Sequence, residues 1–311
     1  MEASLLGNAV DPRVAQVLRK VREIEIRTHR LVDETFAGQY RSVFRGRGID
    51  FETVREYVPG DEVRSIDWNV TARAGRPFVK EFTEERELQL VLLVDVSASG
   101  EFGSTAQTKR ELAAEVASVL AFSAIRNGDK VGAILFSDRV EKFVPPKKGR
   151  GHVLQVISEI LTCEPEGEGT DIAAALDFAG SVSRRRSVTF LISDFQTNGE
   201  RAPAIERLRH AMTRTSLRHD LIALRVRDRR EEELPDVGTI VLEDAETGEL
   251  VELDTSRRRV RDAFGAQAVR RRAELEELFR RARVESLEIE TGGSYVPALV
   301  GFFRSRQRRP R

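Results

Sequence analysis

Short, nearly unbroken apolar runs alternate along the chain with longer segments in which apolar residues recur every three to four positions. The unbroken runs are typical of strands covered on both faces, and they are Leu88–Val96, Val131–Phe136, Val188–Ile192 and Leu221–Val226. The segments with helical spacing lie at about 106–126, 150–162, 170–182 and 200–216. This alternation predicts an α/β fold with a doubly wound, mostly parallel, Rossmann-like sheet.

Two further segments predict antiparallel pairs of strands. Arg139–Val144 follows the strand run at Val131–Phe136 after the short Ser137-Asp138 connection and ends at Pro145-Pro146, which is typical of an antiparallel edge strand. Residues 238–255 break the alternation of strands and helices. Two short apolar runs there flank Thr247-Gly248, and we expect a β-hairpin inserted near the C-terminal end.

The rest of the chain completes the predicted domain organisation. Residues 1–40 predict a helix and residues 41–87 short β-strands, and together they form a small N-terminal α+β module. Residues 88–303 form the main domain, which ends with a helix at 257–283, a strand at Leu287–Ile289 and a helix at Tyr295–Phe303. The remaining residues 304–311 are rich in arginine, and we expect a solvated basic tail, with a contact surface as the alternative.

Composition and charge narrow the functional classes. The 311 residues carry no net charge, so no overall field favours nucleic acid or an anionic membrane. The single cysteine, Cys163, excludes an intrachain disulfide and is typical of a reducing compartment. No stretch approaches the ~18 apolar residues of a membrane span, and the N-terminus does not resemble a signal peptide. We therefore expect a cytoplasmic protein.

Three separated fragments carry oxygen-bearing side chains at the ends of predicted strands or the start of a helix. Their candidate ligands are Asp95, Ser97, Ser99, Thr170 and Asp194. The carboxyl ends of parallel strands meet at one edge of a sheet, where ligands of α/β proteins bind. Carboxylates and hydroxyls without Cys or His suit Mg²⁺, with Mn²⁺ or Ca²⁺ as alternatives. Each fragment also has a purely structural explanation, since the serines and Thr170 can cap helices and Asp194 can stabilise a turn.

These five positions resemble the metal-ion-dependent adhesion site, MIDAS, of von Willebrand factor A domains. The motif is Asp95-Val96-Ser97-Ala98-Ser99 together with Thr170 and Asp194. The resemblance implies that Ser97, Ser99 and Thr170 coordinate the metal directly, and that Asp95 and Asp194 do so directly or through water. It also implies that an acidic residue of a client protein completes the coordination shell.

A second, longer motif resembles the signature of the bacterial domain-of-unknown-function family 58. Its segments are Gly46–Phe51, Val54–Asp61, Arg64–Trp68 and Thr71–Arg73. This resemblance implies a partnership with a MoxR-type AAA+ ATPase in protein assembly or maturation. The chain itself has no Gly-x-x-x-x-Gly-Lys-Ser/Thr motif, so ATP hydrolysis belongs to the partner. The charged residues of the signature predict either an internal ion network or a docking surface, and Trp68 predicts a core anchor.

Two rival functions use the same candidate residues. A Mg²⁺-dependent phosphohydrolase would use Asp95 as a nucleophile or metal ligand, as haloacid-dehalogenase-like phosphatases do with their Asp-x-Asp motif. Ser97 stands in place of the second aspartate, and no Lys or His lies near the three fragments in sequence to act as general acid. The other rival is a scaffold in which the metal only fixes loops. We expect a non-enzymatic, metal-dependent interaction module.

Overall fold

The computed structural model describes residues 12–32, 36–44, 50–83, 87–183, 185–196, 202–243 and 250–308. The chain divides into two compact units, one of residues 44–88 and one of residues 1–43 with 89–311. Parts of several predicted features lie outside the described residues, among them the N-terminal helix, the start of the helix at 200–216, Gly46–Ile49 of the signature, the Thr247-Gly248 turn and the last three residues of the basic tail.

The helices of the described part are α1 (Pro12–Leu31), α2 (Ala37–Phe44), α3 (Trp68–Ala74), α4 (Lys109–Arg126), α5 (Arg150–Thr162), α6 (Ile172–Val182), α7 (Ala202–Arg218), α8 (Arg258–Ala282) and α9 (Val296–Arg308). The strands are β1 (Asp50–Glu56), β2 (Phe78–Thr83), β3 (Gln89–Asp95), β4 (Lys130–Phe136), β5 (Val140–Lys147), β6 (Val188–Ser193), β7 (Asp220–Arg227), β8 (Thr239–Glu243), β9 (Leu250–Asp254) and β10 (Glu285–Glu290). None of these helices has the length and apolarity needed to cross a lipid bilayer.

The smaller unit pairs β1 with β2 in an antiparallel arrangement, with α3 in the connection between them. Asp67 precedes α3 and accepts hydrogen bonds from the N–H groups of the next turn, which is the usual N-cap geometry. The Arg55 guanidinium donates to the Asp61 carboxyl at 2.7 Å, and the Val58 N–H donates to the same carboxyl. Together these two hydrogen bonds lower the pKa of Asp61 to about 2. The prediction that Trp68 anchors a core is wrong, because its side chain is 67% exposed.

The larger unit is built on a six-stranded sheet in the order β10-β7-β6-β3-β4-β5. Every neighbouring pair is parallel except β4 and β5, as the short Ser137-Asp138 connection predicts. Pro146 of β5 lies so close to Gly132 of β4 that a Cβ on the glycine would come within 2.8 Å of the proline ring. The fold is therefore a mixed α/β domain with a mostly parallel central sheet, as predicted. A separate antiparallel pair is formed by β8 and β9.

Helices cover both faces of the central sheet. On one face α6, α7 and α8 bury the side chains of alternate strand residues, including Leu93, Ile134 and Leu191. On the other face α4 contacts β3 and β4, α5 lies beside α4, and Phe302 of α9 packs against Phe190 of β6. Because α1 packs on the outer side of α4, residues 112–124 of α4 are all buried, and this helix has no solvated face along that stretch.

Two predicted boundaries differ from the structure. The single N-terminal helix is two helices, α1 and α2, within the described residues. The segment predicted as a basic tail is helical as far as Arg308, because α9 continues through these positions, although most of its side chains are exposed. Arg306 binds Asp220 at 2.6 Å and Glu285 at 2.8 Å, so at this position the run of arginines stabilises the helix against the sheet.

Candidate metal centre

The carboxyl ends of β3, β4 and β6 form one edge of the sheet, here called the carboxyl edge. β3 lies between β4 and β6, with Asp95 opposite Phe136 and Val94 opposite Ile192. Asp95 is the last residue of β3, and Asp194 directly follows β6. The order of the strands thus brings two of the three predicted fragments to adjacent positions.

The loop after β3 folds its polar groups inward. The Ser97 N–H donates to Asp95 Oδ1 at 3.0 Å, and the Ser193 hydroxyl donates to Asp95 Oδ2 at 2.6 Å. The hydroxyl oxygens of Ser97 and Ser99 lie 3.1 Å apart, and both side chains are buried. Ser97 precedes a short 3-10 turn, but its hydroxyl makes no capping hydrogen bond. The Ser97 hydroxyl therefore faces the Ser99 hydroxyl instead of capping the turn.

Thr170 reaches the same edge through the loop before α6. The N–H of the next residue, Asp171, donates to the Ser137 carbonyl at 2.8 Å, and Ser137 directly follows β4. The Asp171 side chain accepts from the Ala174 N–H and is the N-cap of α6, so Thr170 does not cap this helix. Thr170 is buried beside the end of β4, which is the neighbour of β3.

The acidic segment before Thr170 is held by specific contacts. Glu141 Oε1 accepts from the Gly167 N–H at 3.0 Å and also from the Ser137 hydroxyl. A Cβ at Gly167 would collide with the side chains of Ser137 and Asp138, so only glycine fits this close approach. The loop that carries Thr170 is consequently fixed to the turn between β4 and β5.

The two aspartates place two buried carboxylates at the carboxyl edge. Burial and the nearby charge of Asp194 raise the pKa of Asp95 to about 6, although hydrogen bonds from Ser193 and Ser97 act in the opposite direction. The carboxylate of Asp194 accepts from the Gln196 N–H at 3.0 Å. A buried pair of like charges is unfavourable unless a cation is close to it.

One cation close to this pair is a residue that sequence reasoning missed. Lys109, the first residue of α4, places its Nζ atom 2.6 Å from Asp194 Oδ2 and 2.5 Å from Glu231 Oε1. Burial alone would lower the pKa of this ammonium, but the charges of the two carboxylates outweigh burial and raise it. No lysine lies near the three fragments in sequence, but the fold brings Lys109 into contact with Asp194.

A sequence signal could have located Lys109. Thr108 and Glu111 form a capping box, and that Ser/Thr-x-x-Glu pattern marks the start of α4. A helix that follows a strand of a parallel sheet begins at the carboxyl edge, so its first residue points to the region of the site.

The donor set fits a hard divalent cation by its chemistry. It offers carboxylate and hydroxyl oxygens, with no sulfur or imidazole in contact with them among the described residues, and oxygen is the ligand type that Mg²⁺ and Ca²⁺ prefer. Within the same residues no group of three or more His, Cys, Asp or Glu side chains is arranged to hold a metal. Hydroxyls must therefore supply part of any coordination shell at this edge.

Comparison with known proteins gives one family and several distant structural likenesses. The family described as "Protein of unknown function DUF58" matches residues 53–274. The uncharacterized protein Rv1480 of Mycobacterium tuberculosis is 33% identical over 306 residues, which cover 98% of this chain and 93% of that protein. The uncharacterized protein YeaD of Bacillus subtilis is 33% identical over 109 residues, 35% of this chain and 25% of that protein.

Among solved structures, the chain is similar to BatB from Bacteroides thetaiotaomicron, with 16% identity, coverage of 71% of this chain and 100% of that chain, and a TM-score of 0.46. It is also similar to the VWA domain of SpRpn10, with 11% identity, coverage of 70% of this chain and 95% of that chain, and a TM-score of 0.40. A third similar structure is that of the mussel byssus protein PTMP1 with a zinc-occupied MIDAS motif. The identity is 18%, the match covers 46% of this chain and 38% of that chain, and the TM-score is 0.35.

Proposed function

This chain belongs to the DUF58 family of proteins of unknown function, and we propose that its six-stranded domain is a non-enzymatic, metal-dependent protein-interaction module. The cation is Mg²⁺, with Mn²⁺ or Ca²⁺ as alternatives. Ser97, Ser99 and Thr170 would hold the ion through their hydroxyls, and Asp95 and Asp194 would hold it directly or through water.

The observation that carries this proposal is the burial of hydroxyls next to two like-charged carboxylates at the carboxyl edge. The serine hydroxyls lie 3.1 Å apart, that of Ser97 makes no capping bond to the backbone, and burial together with Asp194 raises the pKa of Asp95. A divalent cation would offset the repulsion between the carboxylates and use the hydroxyls as neutral ligands. Because the proposed ligand set contains two carboxylates, Asp95 and Asp194, the ion would stay electrophilic enough to bind a further carboxylate from a client protein.

We propose that the partner is a MoxR-type AAA+ ATPase, on the strength of the family membership. The chain has no nucleotide-binding motif of the Gly-x-x-x-x-Gly-Lys-Ser/Thr type, so a motor must be supplied from outside. In this arrangement the module binds an acidic residue of a client through the metal, and movement of the ATPase alters that bond. The cytoplasm, where ATP is available, is the proposed location.

The acidic loop beside Thr170 suggests what a client must carry. Glu164, Glu166 and Glu168 are exposed and precede Thr170 in the same loop. A client carboxylate that approaches the metal would be repelled by these glutamates unless basic residues accompany it. We therefore propose that the recognised segment is an acidic residue flanked by lysine or arginine.

Metal binding by the purified chain tests the first part of the proposal. We expect Mn²⁺ binding, measured by calorimetry or by the loss of its free electron paramagnetic resonance signal, to disappear in the double variant Ser97→Ala/Ser99→Ala. Ser181→Ala is the matched control, because that hydroxyl lies on an exposed part of α6 and bonds only the Phe178 carbonyl. Binding that survives in a folded double variant would reject the site.

A pull-down with the ATPase and its clients tests the second part. Capture of the client that depends on Mg²⁺ and is lost with EDTA supports the metal bridge. Capture that is indifferent both to EDTA and to Asp95→Ala would reject it. Metal binding without any effect on client capture would favour the scaffold, in which the ion only fixes loops.

The phosphohydrolase alternative needs a proton donor, and Lys109 is the candidate that comes close. Its ammonium lies between two carboxylates that raise its pKa, so it would not release a proton near neutral pH. Hydrolysis of a generic phosphate ester that vanishes in Asp95→Ala would nevertheless establish catalysis and overturn the non-enzymatic proposal.

A further inference from the structure

Lys109 is a permanent cation fixed beside a proposed metal ligand. Its side chain is 2% exposed, and its ammonium bonds Asp194 Oδ2 at 2.6 Å. The backbone of Lys109 is held in place, because its N–H donates to the Phe102 carbonyl at 2.9 Å and Thr108 caps the helix that it begins. The loop before it is also fixed, since Asp228 accepts from both the N–H and the hydroxyl of Ser104.

The ammonium and a metal ion would compete for the same carboxylate. One oxygen of Asp194 accepts from the Gln196 N–H and the other accepts from the Lys109 ammonium. A metal that binds Asp194 directly must therefore displace the ammonium or share the carboxylate with it. Glu231 offers the displaced ammonium a second partner. Its Oε1 atom is 2.5 Å from Lys109 Nζ and 3.0 Å from Gln196 Nε2, so Glu231 is already in position.

We infer that Lys109 is a built-in competitor of the metal, which keeps the affinity of the isolated chain for divalent cations low. This inference rests on the proposed function, because it assumes that a cation binds at the carboxyl edge. A unit charge a few ångströms from a divalent ion opposes its binding, even at the high effective dielectric of a protein site. A client carboxylate then raises the occupancy of the site by the metal, because its negative charge compensates the positive charge of the Lys109 ammonium.

The experiment compares Mn²⁺ affinity in the full chain and three variants. Lys109→Gln removes the charge and is expected to bind Mn²⁺ on the order of ten- to a hundredfold more tightly. Lys109→Arg keeps the charge and is expected to stay close to the unaltered chain. Lys142→Gln is the matched control, since this lysine is half-exposed and binds Glu159 away from the site.

The direction of the change separates competition from a structural role. If Lys109 only positioned Asp194, its replacement would loosen the ligand and weaken metal binding. An unchanged or weaker affinity in folded Lys109→Gln overturns this inference, while the proposed function stands because the unaltered chain still binds. If Lys109→Gln binds Mn²⁺ measurably and none of the other proteins does, the inference is supported. Absence of binding in every protein overturns both the inference and the proposed function.

A second variant covers the case in which Lys109→Gln does not fold. Glu231→Gln leaves the ammonium with Asp194 as its only carboxylate partner, and we expect Mn²⁺ affinity to fall on the order of tenfold, with circular dichroism unchanged. In the unaltered chain, the ¹⁵N signal of the Lys109 side chain, assigned with Lys109→Arg, is expected to shift on addition of Mg²⁺. A folded Glu231→Gln protein with unchanged affinity would contradict competition for Asp194.

Discussion

The charge of Asp95 should destabilise the metal-free protein at neutral pH, and Asp95→Asn should relieve this cost. Burial and Asp194 raise the pKa of Asp95 from an ordinary 3.8 to about 6. At 1.36 kcal/mol for each pKa unit, the charged form costs about 3 kcal/mol in the folded state. The asparagine keeps the shape of the carboxyl group and removes the charge.

The sign follows from linkage between protonation and folding. The folded protein binds the Asp95 proton more tightly than the unfolded chain, so the stability due to this proton is complete below pH 3.8. It is lost as the pH rises through about 6. The difference in the free energy of unfolding between Asp95→Asn and the unaltered chain should therefore grow by about 2 kcal/mol between pH ~4.5 and ~8.

The assay is urea unfolding in EDTA at these two pH values, followed by circular dichroism. Asp177→Asn is the control, because Asp177 lies exposed on α6 and forms an ion pair with Arg214. Addition of Mg²⁺ should reduce the advantage of Asp95→Asn at pH ~8, since a bound cation favours the carboxylate. A difference that stays constant with pH would refute the reasoning that Asp95 and Asp194 share a buried, metal-free edge.

Three further predictions concern the frame around the site. Gly103→Ala should lower the free energy of unfolding by at least about 2 kcal/mol in urea, because the added Cβ would lie 2.5 Å from a backbone carbonyl oxygen. The control Gly151→Ala on α5 has free space around its Cβ and should be neutral or stabilising. Glu115→Ala should cost about 3 kcal/mol in the same assay, since the buried carboxylate accepts bonds from three side chains, and a neutral result would exclude that network. Arg306→Ala should lower the midpoint of thermal unfolding, because it removes the ion pairs with Asp220 and Glu285. Arg304 is exposed, so Arg304→Ala should leave the midpoint unchanged. Equal effects of the two substitutions would mean that Arg306 does not hold α9 in place.

The order of strands and helices in the main domain could be predicted because each element has its own periodic signal. The buried strands β3, β4 and β6 are nearly unbroken apolar runs, which only a sheet covered on both faces requires. The course of the C-terminal arginines could not be predicted, because a run of like charges is usually solvated. Their helical structure depends on Asp220 and Glu285, which lie far from them in sequence.

The candidate site was partly predictable for the same reason. Asp95 and Asp194 stand at strand ends, so the parallel sheet alone brings them together. The capping box marks Lys109 as the start of α4, but the proximity of Lys109 and Glu231 to Asp194 depends on how α4 and the segment after β7 cross the sheet edge. Trp68 was misjudged because large aromatic residues are usually buried, and no pattern in its neighbours indicates the exposure of its helix.

The two prolines near the end of β5 limit how molecules of this protein can aggregate. β5 is an outer strand of the central sheet, and outer strands are prone to pair with strands of other molecules. Pro145 and Pro146 have no N–H to donate, so a foreign strand that pairs along this part of β5 would lack a hydrogen bond of the ladder it needs. Sideways growth of the sheet into fibres is thus discouraged along this outer strand.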